Sequence, residues 1–365
     1  MSDETTKDSP RQDEQLKIFD MAYVRTIPPR KPEGHQPAAP RHSLRWTKPV
    51  LVIVSDYFGI QGQNLSWDDQ RAFFNRVESD FTEPDGPDSS EIMRCEDELG
   101  FINAVIVGYW TDPVKHARFC ARSAVLKWLQ DGNRLSESVG YWRETLRVPY
   151  DRHETIYSEN WYRIGISRTA ASTIVPITTN GFFGAARDRI PLSAIDPLDS
   201  PWGDQVPERK IQKTQRRRIR LEIPVNMVTL RSGQYWAHAE TEQLADYMEN
   251  MRPRLMTGMD HLLRHKQESG TLSLRILTNL DDDGTERKET SVLAHFVSLA
   301  HLETWAANHQ THLDIYRHAV AMNRKYKEER QFVSWHELFV NLFASFEYIN
   351  CHPETGLLPY FGALG

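Results

Sequence analysis

The chain has 365 residues, a net charge of −6, 39% hydrophobic and 26% charged residues. That length suits two domains or one large one, and so mild a charge excludes a whole-chain field that would gather nucleic acid or anionic membrane. No apolar run is long enough to span a membrane, MSDETTKDSPRQDEQ is not a leader peptide, and three scattered cysteines without a C-x-x-C pair point to a reducing, cytoplasmic interior without disulfides.

Residues 1–46, rich in Pro and charge (IPPRKPEGHQPAAPRH), read as a flexible or extended N-terminal arm. The run KPVLVIVSDYFGI predicts a buried strand, and SWDDQRAFFNRVESDF a helix capped by Ser66. SSEIMRCEDELGFINAVIVGYW predicts two strands joined near Glu98–Gly100. After Asp112-Pro113, VKHARFCARSAVLKWLQ is helical, and SVGYWRETLRVP is a strand. The basic run ERKIQKTQRRRIR lacks interleaved aromatics and reads as a solvated strand or loop face.

From about residue 206 the same order returns. IPVNMVTLRSG is a strand, and AETEQLADYMENMRPRLMTGMDHLLRHK is a helix bent or broken around Pro253. SGTLSLRILTNL and ETSVLAHFVSL are strands joined by DDDG. LAHLETWAANH and THLDIYRHAVAMNRKY are helical, and FVSWHELFV is a strand. VIVGYWTDPVKHARFCARSAVLKWL aligns without a gap on VLAHFVSLAHLETWAANHQTHLDIY. GYWRETL then aligns on VSWHELF, pairing Trp142 with Trp335 and Glu144 with Glu337. The pattern predicts an α+β fold of two duplicated ferredoxin-like units, residues 47–205 and 206–365, in one compact unit. No dinucleotide or P-loop glycine fingerprint occurs.

The segment NHQTHLDIYRH, Asn308 to His318, holds three histidines. Thr311-x-x-Asp314 predicts a capped helix start, which puts His312 in the first turn. His312 shares an apolar stripe with Ile315, Ala319 and Met322. His318 falls about 240° round, on the charged face. His309 precedes the cap, so His309 and His312 do not share a helical face for zinc. His312 lies opposite Val125 and His336 opposite Arg143 in the repeat, so both histidines are additions to one copy. His312 reads either as a hydrogen-bonded core histidine or as a single axial ligand, since haem iron needs only one from the protein.

Elsewhere, His336 in SWHELF points to the face opposite Trp335 and Glu337, as a barrel-lining residue or a general acid or base. Ser232 in TLRSGQYW sits where a strand yields to a turn, as an N-cap or a donor to a ligand. Arg187, Asp188 and Arg189 read as a surface ion pair. Glu154 lies in an extended polar segment, placed to pair with an arginine and orient it, and Cys351-His352-Pro353 reads as turn chemistry.

Taken in order, GYWRETLRVPYDRHETIYSEN, NGFFGAARDRIP, NMVTLRSGQYW, LETWAANHQTHLDIY, SWHELF and EYINCHPETGLLP resemble the haem-containing aldoxime dehydratases, including the phenylacetaldoxime dehydratases. The likeness runs from about Gly140 to Pro359. In that family the second His of an H-P-T-H motif is the proximal haem ligand, which implies His312 here, with Gln310 replacing the proline. A W/Y-H-E strand implies His336 as the distal histidine, and an I-R-S-G-Q segment implies Ser232. M-R-(D/E)-R implies Arg189, and F-E-T-L implies Glu154. Phe182-Phe183-Gly184 and Ala186 differ from the family's usual Tyr-Trp-Gly and Met, which alters the pocket wall.

The resemblance implies non-covalent haem b, ferrous when active, dehydration of R–CH=N–OH to R–C≡N, and a homodimer of α+β barrel type. A haem peroxidase or haem-degrading enzyme, and a haem sensor or carrier, are the alternative functions.

Overall fold

The computed structural model describes residues 23–177, 181–360 and Gly362. Residues 1–22 of the expected arm lie outside the described residues. The arm from Tyr23 onward is anchored, which corrects the expectation of flexibility there. Tyr23 donates to Asp151 at 2.5 Å, and the Arg30 and Lys31 amides donate to the Asp188 carboxylate at 2.8 Å. The arm ends in strand β1 (Arg41–Trp46), whose Leu44 and Trp46 enter the core. An apolar side chain in an otherwise polar arm is enough to dock it when an edge strand offers free backbone groups.

The chain continues through β2 (Val52–Gly62), helix α1 (Trp67–Phe81), β3 (Ser89–Glu96) and β4 (Ile102–Trp110). Ser66 caps α1 with Asp69 closing the capping box. The predicted helix after Pro113 is split. Ser123 ends α2 (Pro113–Arg122) and its side chain caps α3 (Ala124–Gln130). Strands β5 (Gly140–Pro149), β6 (His153–Tyr157) and β7 (Ser172–Ile177) follow, then the edge strand β8 (Arg218–Glu222). Arg218 and Arg220 of the basic run pair there with Glu347.

The second half has β9 (Val228–Tyr235), α4 (Thr241–Asp246), α5 (Arg252–Arg264), α6 (Lys266–Ser269), β10 (Thr271–Leu280) and β11 (Glu286–Phe296). It closes with α7 (Leu299–Asn308), α8 (Gln310–Tyr326), β12 (Val333–Val340) and β13 (Phe343–Ile349). Pro253 does not break its helix. A π-helical turn at Tyr247–Met251 absorbs the irregularity just before it.

All strands join one antiparallel sheet in the order β7-β1-β6-β12-β9-β11-β10-β3-β4-β2-β5-β13-β8. Within it, β5-β2-β4-β3 and β12-β9-β11-β10 repeat one ferredoxin-like order, and the halves meet where β3 pairs β10. The units interlock: β6, from the first half of the sequence, pairs β12, and β13 pairs β5. Each unit repeats a glycine–tryptophan register pair, Gly59 with Trp142 and Gly233 with Trp335. A Cβ on Gly59 would lie 2.0 Å from the Trp142 ring, and one on Gly233 2.5 Å from Trp335, so each indole lies across a bare backbone.

The sheet curls so that the inner faces of both units share one core. Period-two alternation buries polar groups there in shared networks. Arg275 meets Glu144 at 2.7 Å, and His295 and Tyr348 reach the same carboxylate. Arg231 meets Glu91 and donates to Tyr109 at 2.8 Å, and Tyr109 donates to Glu337 at 2.7 Å. Helices cover the outer faces: α1–α3 on the first unit, α5 and α7 on the second.

Arg231 is fully buried and is the counter-charge of Glu91. Arg231→Met leaves that buried carboxylate only the Gly165 amide and the more distant Arg168 at 3.8 Å, and we expect a loss of about 3–5 kcal/mol in urea unfolding. Unchanged stability would show that the network is not held by charge.

Candidate active site

The helix-covered face of the second unit is hollow. A cavity of about 1060 Å³, mouth included, lies between β6, β9, β11 and β12 on one side and α5, α7 and α8 on the other. Its walls are mostly apolar, with few polar groups, as in a ligand pocket.

The repeat accounts for part of the hollow. Counting from the aligned Gly–Trp pairs, Ser232 occupies the place of Phe58. The structure shifts the ungapped alignment by one residue: Gly59 pairs Val105 where Gly233 pairs Ser291, and the caps Asp112 and Ser298 open α2 and α7, so Trp305 stands in the place of Phe119 and His312 in that of Leu126. Phe58, Phe119 and Val125 fill the first unit's outer layer and are at most 3% exposed. The exchange of Phe58 for Ser232 removes part of that filling, while Trp305 keeps an aromatic ring where the first unit has Phe119.

His312 enters the cavity from the first turn of α8. The cap of α8 is His309, not Thr311: the Thr311 amide donates to His309 Nδ1 at 3.3 Å. The imidazole is as able as a Thr hydroxyl to accept that bond, and it moves the helix start two residues back. The burial of His312 holds its pKa down to about 4, so the ring is neutral, and its Nδ1 is buried without a hydrogen-bond partner. His318 faces away and pairs with Asp246 at 3.0 Å.

Opposite, β12 delivers His336 and β9 delivers Ser232, which are direct register partners. Ser232 therefore lies within a strand and caps no helix, which corrects that reading. Residues of like parity on paired strands project to one face. Glu154 on β6 reaches His336 Nε2 at 2.6 Å. Arg189, from the turn Phe183–Arg189, clamps the same carboxylate with Nε at 3.0 Å and Nη2 at 2.9 Å. Burial alone would raise the Glu154 pKa, but Arg189 and His336 outweigh it and hold it down to about 2. The expected surface ion pair of Arg187, Asp188 and Arg189 is not formed. Arg187 is buried against Glu303 at 2.7 Å, and Asp188 holds the arm. Cys351 and His352 lie in the predicted turn, where Cys351 bonds the Tyr141 carbonyl.

Two wall residues escaped the sequence reading. Phe183 packs edge-on against both His312 and His336, at 5.8 and 5.9 Å, so the histidines look onto one space. Arg41 of β1 reaches the cavity from the arm. It is 6% exposed, and desolvation lowers its pKa to about 10. Among the described residues its guanidinium has no carboxylate partner, only the Pro40 carbonyl.

A neutral buried imidazole, an apolar chamber and a buried cation lacking an anion suit a flat, mostly apolar, iron-bearing group with carboxylate substituents. The fold and the cavity thus define an α+β protein built to hold haem. The chain belongs to the haem-containing dehydratase family, which it matches over residues 56–357. It is 33% identical over 340 residues to an aliphatic aldoxime dehydratase of Pseudomonas chlororaphis, covering 92% of this chain and 94% of that protein. It is 28% identical over 337 residues to a phenylacetaldoxime dehydratase of Bacillus sp. (strain OxB-1), covering 90% and 94%. A crystal structure of aldoxime dehydratase superposes with a TM-score of 0.82 at 32% identity, over 92% of this chain and 95% of that one. Another, in complex with butyraldoxime, gives 0.80 at 28% identity, over 92% and 93%.

His312→Ala should purify without a Soret band, and Arg41→Met should lose haem faster to apomyoglobin than the parent does. Full haem retention by His312→Ala would exclude it as the ligand. The Glu154 pKa falls on folding from 4.5, so its stabilisation is complete above pH 4.5 and fades as pH drops toward 2. Calorimetry of Glu154→Gln should show a lower Tm at pH 6, with the gap from the parent closing on acidification.

Proposed function

We propose that the chain dehydrates aldoximes to nitriles at a haem held by His312, with His336 as the acid and base. The observation that carries the reading is the Glu154 carboxylate shared between Arg189 and His336 on the wall opposite His312. Bound haem would supply iron that takes the aldoxime nitrogen and feeds electron density toward N–O cleavage.

The protein's own part is positioning and proton transfer. Aldoxime hydroxyl is a poor leaving group until it is protonated. His336 donates that proton as an imidazolium, and the hydroxyl departs as water. The ionised Glu154 is the charge partner of that imidazolium, and Arg189 keeps Glu154 ionised. Ser232, the register partner of His336, holds the hydroxyl beside the donor. His336 then takes up the C–H proton, so the proton count of the enzyme is restored as R–CH=N–OH becomes R–C≡N and water. Leu230, Val292 and Leu302 give the substituent an apolar surface and keep bulk water away.

Two finer points belong to the same proposal. Two copies pair as a homodimer, to be checked by sedimentation. The enzyme acts in the cytoplasm, a reading supported by three free cysteines. Among the described residues no helix is long and apolar enough to cross a membrane.

The deciding assay is anaerobic, with dithionite-reduced enzyme, an aldoxime and no peroxide. Nitrile formation is the expected result. A requirement for peroxide would favour a peroxidase, and haem binding without product would favour a sensor. His336→Ala should keep its haem and lose turnover by about 10²-fold or more. Ser232→Ala should lower kcat with haem binding unchanged. Near-normal turnover by His336→Ala would remove it from the acid role.

A further inference from the structure

His309 does not reach the cavity machinery, yet it does not stand alone. Its ring stacks on His261 of α5, with centroids 3.7 Å apart. His265, one helical turn beyond His261, stacks on that ring in turn at 4.7 Å. Glu268 of α6 reaches within 4.0 Å of His265. One ligand atom each from His261, Glu268 and His309 lies within 4.8 Å of the others.

The donor atoms are available. His309 spends Nδ1 on the Thr311 hydroxyl and amide, which leaves Nε2. His261 Nε2 is buried without a hydrogen-bond partner. Neighbouring imidazoles and burial keep His261 neutral, with its lone pair free. The acidic groups acting on His261 are Glu268 and Asp260. Asp260 is engaged by Arg264 at 2.5 Å. The frame beneath is tight: Gly258 lets α5 approach α8 until a Cβ there would lie 3.0 Å from Ile315.

We propose that His261, His309 and Glu268, with His265 beside them, form a site for a divalent cation of the zinc class that clips α5 to the start of α8. Two or three neutral imidazoles and one carboxylate are the donor set of zinc, at about 2.0–2.2 Å per bond. Ligands at tetrahedral spacing are closer than 4.8 Å, and rotation of the exposed His265 and Glu268 side chains can close the gap. The other histidine cluster, Asp56, His116 and Cys120, is a poor host for a cation. Arg143 donates to Asp56 at 2.6 Å and to Cys120 at 3.2 Å, and Arg147 approaches His116 Nδ1 at 3.3 Å. Two guanidiniums already hold those donor atoms.

The test uses the haem-loaded full chain without a histidine tag, cleared of adventitious metal by chelator and titrated with Zn²⁺ against a chromophoric competitor. We expect one Zn²⁺ per chain with micromolar or tighter affinity, and a higher Tm on binding. Glu268→Gln and His309→Asn should each weaken binding by more than the roughly 10- to 100-fold that an outer-shell change costs. Asn at 309 keeps a helix cap. His261→Gln should abolish the tight site while the Soret band stays. Tight binding that survives His261→Gln, or that vanishes with Cys120→Ala, would overturn the assignment, as would the absence of tight binding in the parent.

Discussion

A carboxylate removed from water is costly unless something compensates it, and Glu154 is such a carboxylate. It is 3% exposed, takes both arms of the Arg189 guanidinium, and meets His336 at 2.6 Å. Each partner comes from a different part of the chain: β6, the Phe183–Arg189 turn and β12. Ionisation of one side chain therefore ties a strand from the first half of the sequence to the strand of the second that bears His336. It also fixes the imidazole's orientation, because Nε2 is spent on Glu154. The other ring nitrogen is left for whatever enters the cavity.

The strand bearing His336 serves two chemistries at once. Trp335 and Glu337 turn inward, where Glu337 accepts from Tyr109 and from the Ile166 amide. Burial lifts the Glu337 carboxyl to about 7 despite the nearby Arg231. His336 turns outward to the cavity. A slip of one residue would put histidine in the inner network and glutamate in the chamber. The Gly233–Trp335 pair opposes such a slip, because the indole fits only where β9 has no side chain.

Much of this was legible in the chain. The duplication, the strands and helices, and the inward and outward faces of β12 follow from periodicity, and the resemblance to the dehydratase family pointed to His312, His336, Ser232, Arg189 and Glu154 as candidates. What could not be read were contacts made across the fold. That Arg189 is the arginine expected for Glu154, and that Ser232 pairs with His336 mid-strand, depend on how distant segments meet in the sheet. The docked arm was hidden for a different reason: a Pro-rich composition describes local stiffness, and says nothing of an edge that β1 can join. The cap of α8 was misassigned because imidazole is a rarer acceptor for a helix amide than a hydroxyl.

The two units also show how one scaffold separates strength from function. In the first, Phe58 and Phe119 pack the helix-covered face, and Arg143 stands where the second unit has His336. Arg143 needs an anion, and Asp56 supplies it in a closed set with His116 and Thr145. That unit is filled and internally neutralised. The second has Ser232 in the place of Phe58 and accepts a cavity, which costs packing and leaves facing it a neutral His312 and an Arg41 without a carboxylate partner among the described residues. A bound group that fills the chamber and meets both would restore what the emptied face lacks. On that argument haem contributes to the stability of the second unit as well as to its chemistry, and the filled first unit is the frame that tolerates the defect.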